Sequence, residues 1–467
     1  MLAEEPKHEK KPRGEKNRIA WRLAEAAPSL PEVHGSISVP SRESDLPARG
    51  RPRFPWRRLL AFVGPGYLVA VGYMDPGNWA TDIAGGAAYR YILLSVVLLS
   101  SLVAVFLQAL SVKLGIVTGK DLAQACRAAY SKPVSNLLWV SAEIGIAACD
   151  LAEVLGAAIA LNLLFHLPMI WGVILTAGDV LVVLALQHRG FRMIEAMVMA
   201  LIGTMTVIFG IELFYAKPLW GDVAAGFVPS AEIVKNPAVL YIALGILGAT
   251  VMPHNLYLHS SIVQTRRYGR SVEELKDAVR HATIDSTVAL TLAFFVNAAI
   301  LIVAAAVFYT RGHHEVASIA DAYKLLTPLL GVSLAAPLFA VALLASGQNS
   351  TLTGTLAGQI ILEGFLDFRM APWARRMVSR LFAIVPAVIT LAYFGDASVN
   401  KLMILSQVIL SAQLSFAVFP LVQFTSDESK MGALVNRPLT KLLGWSLAAV
   451  IAALNAYLIY GAVTGRN

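Results

Sequence analysis

The sequence predicts an all-α integral membrane protein of about eleven helices, ten of them forming two five-helix units of opposite orientation. Three observations predict it. The chain of 467 residues is 57% hydrophobic and only 15% charged, whereas ordinary soluble domains carry about 25% charged residues. Its apolar residues come in runs of about 20, the length a helix needs to cross a bilayer. The first and sixth of those runs are each interrupted by a proline set among polar side chains.

In chain order, residues 1–56 come first: polar, Pro-rich, mixed in charge and without an apolar core of their own. They read as a disordered basic cytoplasmic tail. No apolar stretch lies within the first 30 residues, so a cleaved signal peptide is not expected. The remainder, 57–467, reads as one transmembrane domain. Its spans fall near 59–85, 91–117, 136–165, 169–187 and 193–216, then 239–265, 283–309, 335–364, 374–395 and 402–425, with an eleventh at 442–463. The first repeat is thus 57–216 and the second 239–425, and the last helix lies outside both.

The formal charge of +8 is explained by topology. With a cytoplasmic N-terminus, 31 of the 38 Lys and Arg residues fall in the tail and the loops on the same side. That asymmetry orients the chain N-in and, with an odd number of spans, C-out. It implies a lipid bilayer as the basic protein's partner and gives no reason to expect nucleic acid. The loop-poor layout suits a bacterial inner membrane, and a single chain suffices for the architecture. Cys126 and Cys149 lie too far apart to pair and lack partners at metal-ligand spacing, so both read as small apolar residues.

Spans 1 and 6 differ from the plain ones. In span 1 the apolar run gives way to Asp75-Pro76-Gly77-Asn78, and in span 6 to Met252-Pro253-His254-Asn255. Proline inside a helix removes a donor and leaves carbonyls unsatisfied, which lipid tolerates only where the freed groups line a cavity or meet a ligand. These spans open two five-helix units. Five is odd, so the second unit enters from the opposite side. Two discontinuous helices meeting near the midplane are the signature of inverted-repeat secondary transporters.

The residues at the breaks point to metal. Asp75 is an acid halfway through a span, a functional candidate by default. Asn78 adds an amide oxygen on the same face, Met252 a thioether, and the break at Pro253 frees the Ala249 carbonyl one turn earlier. Ca²⁺ and Mg²⁺ prefer oxygen throughout. A mixed set with sulfur favours transition ions such as Mn²⁺ and Fe²⁺. For protons, the titratable groups at membrane depth are His254, near Met252, and Asp150 and Glu153, three apart on one helix face.

The two break motifs together, Asp75-Pro76-Gly77-Asn78 and Ala249-Thr250-Val251-Met252-Pro253-His254, resemble the Nramp family of proton-coupled metal transporters. The likeness runs from about Trp56 to the end and takes in Gly347-Gln348-Asn349-Ser350-Thr351 and Leu405-Ser406-Gln407-Val408. It implies a leucine-transporter-like fold of ten core helices plus one. It also implies import of Mn²⁺ or Fe²⁺ with protons, the metal being substrate and no resident cofactor being needed. The ion would be held by Asp75, Asn78, the Ala249 carbonyl and Met252, with Gln407 approaching as the site closes. Relatives that move magnesium or aluminium depart from the pattern at the methionine, which this sequence keeps. Protons would pass by way of Asp75, His254, Asp150 and Glu153, with Arg375 and Arg376 at the inner end.

Other polar features have plainer readings. Asp82 and Glu143 read as residents of polar vestibules or internal networks, and Asp179, Glu195 and Glu212 as acids solvated at span ends or in polar cavities. Gly312-His313-His314-Glu315 lacks the i, i+4 spacing of a zinc helix and reads as an external loop. Three rival functions remain. A Na⁺-coupled solute symporter of the same fold would have no use for Met252 and His254. An intramembrane metallohydrolase would need His-Glu-x-x-His, which is absent, so the chain is not expected to be an enzyme. A passive metal channel would share the ligands but move no protons.

Overall fold

The computed structural model describes residues 34–38, 60–176, 178, 191–314, 318–366 and 372–464. The first span is two helices, α1 (Pro65–Gly72) and α2 (Pro76–Tyr89). After them come α3 (Leu94–Thr118), the short α4 (Leu122–Ala129), α5 (Lys132–Phe165), α6 (Met169–Thr176) and α7 (Phe191–Ala216). The sixth span is likewise split, into α8 (Pro237–Thr250) and α9 (Pro253–Ile262). Then follow α10 (Val272–Val307), α11 (Ile319–Leu330), α12 (Ala335–Leu366), α13 (Pro372–Phe394), α14 (Val399–Ser426) and α15 (Pro438–Thr464).

Among the described residues, seven segments are long and apolar enough to cross a membrane: α3, α5, α7, the α8–α9 pair, α10, α14 and α15. The other expected spans correspond to α1–α2, α6, α12 and α13. Span 4, expected at 169–187, lies mostly outside the described residues. Several helices outrun their apolar stretches. α10 starts at Val272 rather than at 283, because Ser271 and Glu274 form a reciprocal capping box ahead of the hydrophobic part.

Two dipeptides dictate the breaks. Proline pushes the residue before it out of the helical region, and Asp75 (ψ 165) and Met252 (ψ 119) both sit there. Pro76 and Pro253 then open α2 and α9, where a missing N–H costs nothing. Each proline therefore starts a half-helix instead of kinking a whole one. The freed carbonyls are taken by side chains from other elements. Tyr73 O accepts from Asn297 Nδ2 (2.7 Å), while Met74 O accepts from Ser346 Oγ (2.6 Å) and Trp79 Nε1 (3.3 Å).

Around these half-helices the long helices close ranks. α5 packs on α12, α14 and α13; α10 packs on α3, α2, α1 and α7. α1, α2, α8 and α9 are buried along most of their length. α15 packs on α14 and leaves Leu439, Leu442 and Tyr457 exposed, the apolar outer face a helix in lipid presents.

At the start of α1 a buried ionic knot corrects one sequence expectation. Glu195 was read as solvated, yet it pairs with Arg266 at 2.7 Å and both side chains are fully buried. Arg266 also donates to Ala61 O (3.1 Å) and Val63 O (2.7 Å), while Asp285 accepts from Gly64 N (3.3 Å) and Gly66 N (2.7 Å). Arg266 thus holds the chain leading into α1 by its carbonyls and Asp285 holds it by its amides. Arg266→Ala removes the partner of the buried Glu195 carboxylate, and removing one partner of a buried pair costs about 3–5 kcal/mol. A clearly lowered melting midpoint of the purified protein is expected, and an unchanged one would show that the knot is not a structural clamp.

Glu212, also read as solvated, is buried as well, and Asp179 lies outside the described residues. The expected tail of residues 1–56 lies mostly outside them too. Within it, however, Ile37 and Ser38 form a parallel strand pair with Arg266 and Arg267, and Gly35 N donates to Gln264 O (3.0 Å). That short segment departs from the unstructured reading. Burial, and next the Arg270 guanidinium, hold the His34 imidazole below its ordinary pKa.

Candidate metal site

The two breaks face each other. Asp75 caps α2, its Oδ1 accepting from Asn78 N at 2.8 Å. Asn78, one turn on, returns its side chain: Nδ2 donates to Asp75 Oδ1 (2.7 Å) and to Ala249 O (3.0 Å) across the gap. The Ala249 carbonyl is free for this because α8 ends at Thr250, just before Met252 and Pro253. A Cβ built on Gly72 would lie 3.2 Å from Met252 Sδ, so the thioether lies against the last turn of α1. One built on Gly77 would meet Gln407 Nε2 at 2.0 Å, and one on Gly248 would meet Gln407 O at 2.1 Å. Gln407 therefore lays its side chain over α2 and its main chain against α8, and only glycine permits either approach.

Asp75, Asn78, Ala249, Met252 and Gln407 are all at most 1% exposed. Asp75 Oδ2, Gln407 Oε1, Thr250 Oγ1 and Asn349 Oδ1 have no hydrogen-bond partner among the described residues. Buried polar atoms are ordinarily satisfied, so the unsatisfied oxygens of Asp75 and of Gln407, whose side chain lies against Gly77, mark a place suited to a cation and its waters. The carbonyl ends of α1 and α8 add the negative poles of two helix dipoles. Among the described residues no trio of His, Cys, Asp or Glu could hold a metal ion. The candidate set is of another kind: one carboxylate, two amides, a carbonyl and a sulfur.

The predicted proton residues lie to one side of this set. His254 is in the first turn of α9, with Nε2 3.8 Å from Cys149 Sγ, and that thiol is 3.5 Å from Glu153 Oε1. A Cβ on Gly354 of α12 would lie 3.0 Å from Glu153 Oε1 and 3.3 Å from Asp150 Oδ1, so both acids flank that glycine. Arg375 and Arg376 are on α13, but their side chains lie outside the described residues.

Two residues escaped the sequence reading. Cys149, read as a small apolar residue, bridges His254 and Glu153; its place four residues before Glu153 was the available signal. Asn297 donates to Tyr73 O and, at 3.3 Å, to Asn78 Oδ1. An amide alone in the apolar middle of a span was the clue there. Gly312 to His314 are exposed as expected, and Glu315 lies outside the described residues.

Known proteins match the sequence and fold over most of the chain. The family model described as natural resistance-associated macrophage protein-like, Nramp, matches residues 66–461. Divalent metal cation transporter MntH of Listeria innocua is 58% identical over 455 residues, 97% of this chain and 99% of its own. MntH of a Nostoc species is 58% identical over 441 residues, covering 94% and 98%. The crystal structure of a manganese transporter from Eremococcus coleocola superposes with a TM-score of 0.84 at 41% identity, over 93% of this chain and 92% of that one. A nucleobase-cation-symport-1 family transporter shares only the fold, with a TM-score of 0.56 at 15% identity over 85% and 90%. The chain is a membrane protein of the Nramp family.

Proposed function

We propose that this protein moves divalent transition metal ions, Mn²⁺ first among them, across the membrane together with protons, binding the ion between the two helix breaks near the midplane. The observation that carries the reading is the convergence of the Asp75 carboxylate and the Ala249 carbonyl on one point, 2.7 Å and 3.0 Å from Asn78 Nδ2. Met252 and Gln407 close in from the other broken helix and from α14. A half-turn of the Asn78 amide would bring its oxygen to the same point. The ion would then meet oxygen donors and one sulfur, a set suited to Mn²⁺ and Fe²⁺ and ill suited to Na⁺. The relatives' names, divalent metal cation transporter and manganese transporter, support the substrate class.

For coupling, Asp75 holds either a proton or the metal. A released proton passes to His254 and on toward Glu153 and Asp150, with Cys149 between. Arg375 and Arg376 stand at the inner end of that route, and the positive tail sets the cytoplasmic side of an inner membrane. The test is Mn²⁺ uptake into proteoliposomes carrying an internal pH dye, with Ca²⁺ and Mg²⁺ as competitors. Inward Mn²⁺ with inward acidification, unmoved by the competitors, is the expected result. Mn²⁺ entering without protons would favour a channel, and no Mn²⁺ entry would overturn the site.

A further inference from the structure

One buried acid close to the candidate site has no role in it. Asp82 is 1% exposed, and its Oδ2 has no hydrogen-bond partner among the described residues. It lies one turn beyond Asn78 and two turns beyond Asp75 on the same helix face, about 10 Å further along α2. The neighbouring turns locate the wall it meets. Asn78 touches Asn297, and a Cβ on Gly86 would lie 2.5 Å from Leu301 O and 2.9 Å from Ala304 Cβ. Asp82 stands midway between Asn78 and Gly86, so it is turned toward α10 between Asn297 and Leu301.

That stretch of α10 reads Asn297-Ala298-Ala299-Ile300-Leu301, and its polar side chain is Asn297. Asn297 has its N–H groups engaged by Tyr73 O and Asn78 Oδ1, while its own Oδ1 has no partner among the described residues. A second carboxylate, Asp75, lies two turns back on the same helix face. α2 itself supplies no Lys, Arg or His. A carboxylate buried among acceptors, near another carboxylate and without a basic residue on either facing segment, is costly unless a proton or a cation compensates it, and a divalent ion could displace that proton.

We propose that Asp82, with Asn297 Oδ1, forms a second position for the transported divalent ion, on the Tyr89 side of the central site. In the orientation that the Lys and Arg distribution predicts, this is the external side. The ion waits there before it exchanges onto Asp75. The inference rests on the metal-transport reading above.

The test uses the full-length protein in nanodiscs, with Mn²⁺ as probe and loss of the free-ion paramagnetic resonance signal as the measure of binding. Asp75→Asn removes the central charge and is expected to leave a weaker Mn²⁺ site, which Asp75→Asn combined with Asp82→Asn abolishes. In otherwise wild-type protein, Asp82→Asn raises the KM for Mn²⁺ uptake by about fivefold, more than it lowers the maximal rate. Absence of residual binding in Asp75→Asn, or a wild-type KM in Asp82→Asn, overturns the second position. A lowered melting temperature with an unchanged KM also overturns it, marking Asp82 as a buried structural acid. If wild type binds and moves Mn²⁺ while these results fail, this inference alone falls. If wild type does neither, the metal reading falls with it.

Discussion

Asp75→Asn is expected to abolish Mn²⁺ uptake while leaving the protein folded. The carboxylate has two jobs that the substitution separates. As the cap of α2 it accepts from Asn78 N at 2.8 Å, and asparagine caps a helix about as well as aspartate does. As the one acid in the proposed ligand set it supplies the negative charge that offsets removing a divalent ion from water, which an amide cannot do. Altering the outer partners of metal ligands already costs 10–100-fold. Loss of the charged ligand itself should therefore reduce uptake by at least about a hundredfold. Asp75→Ala should do the same and, lacking the cap, lose about 1 kcal/mol of stability as well. Retained uptake in Asp75→Asn, measured beside an unchanged melting curve, would remove Asp75 from the site.

Met252→Leu should keep the fold and relax the choice of ion. Met252 is fully buried, and its neighbours include Ala148, Cys149 and Leu410. Truncation to alanine would leave a cavity costing about 2–5 kcal/mol. Leucine conserves the volume at a cost below about 1.5 kcal/mol and removes only the sulfur. The remaining donors are oxygens and would then suit Ca²⁺ and Mg²⁺ better than before. In competition assays, Ca²⁺ should begin to depress Mn²⁺ uptake in Met252→Leu and have little effect in wild type. Equal insensitivity in both proteins would show that the thioether does not set selectivity.

Much of this was legible because a few residues act locally. Asp75-Pro76 and Met252-Pro253 each carry the steric rule that ends one half-helix and begins the next, so the breaks could be placed from the sequence. Arg266 was not legible in the same way. In sequence it is one more cation beside Arg267 in a basic loop, yet its partners are Ala61, Val63 and Glu195, and the first two lie 205 and 203 residues away. No local pattern encodes such a meeting. Glu195 and Glu212 were misplaced for the same reason, since a charge near the end of an apolar run looks solvated until the neighbouring helices are in place. Cys149 failed differently. Its apolar surroundings described its burial correctly, but what matters is the approach of α9, which brings His254 to its sulfur.

The Asn78 amide has a consequence for turnover. Sitting between Asp75 Oδ1 and Ala249 O, its N–H group is a tethered competitor for the point where the oxygens converge. If the proposed site holds, an arriving ion would have to break these two hydrogen bonds, and a departing one would let them re-form. Because the competitor belongs to the chain, it acts at high effective concentration whatever the ion supply. At the proposed site it would lower the ceiling on affinity and shorten the residence time together. A storage protein would be poorly served by that arrangement. A carrier, whose output counts ions released rather than ions held, gains from a site that closes on itself the moment its passenger leaves.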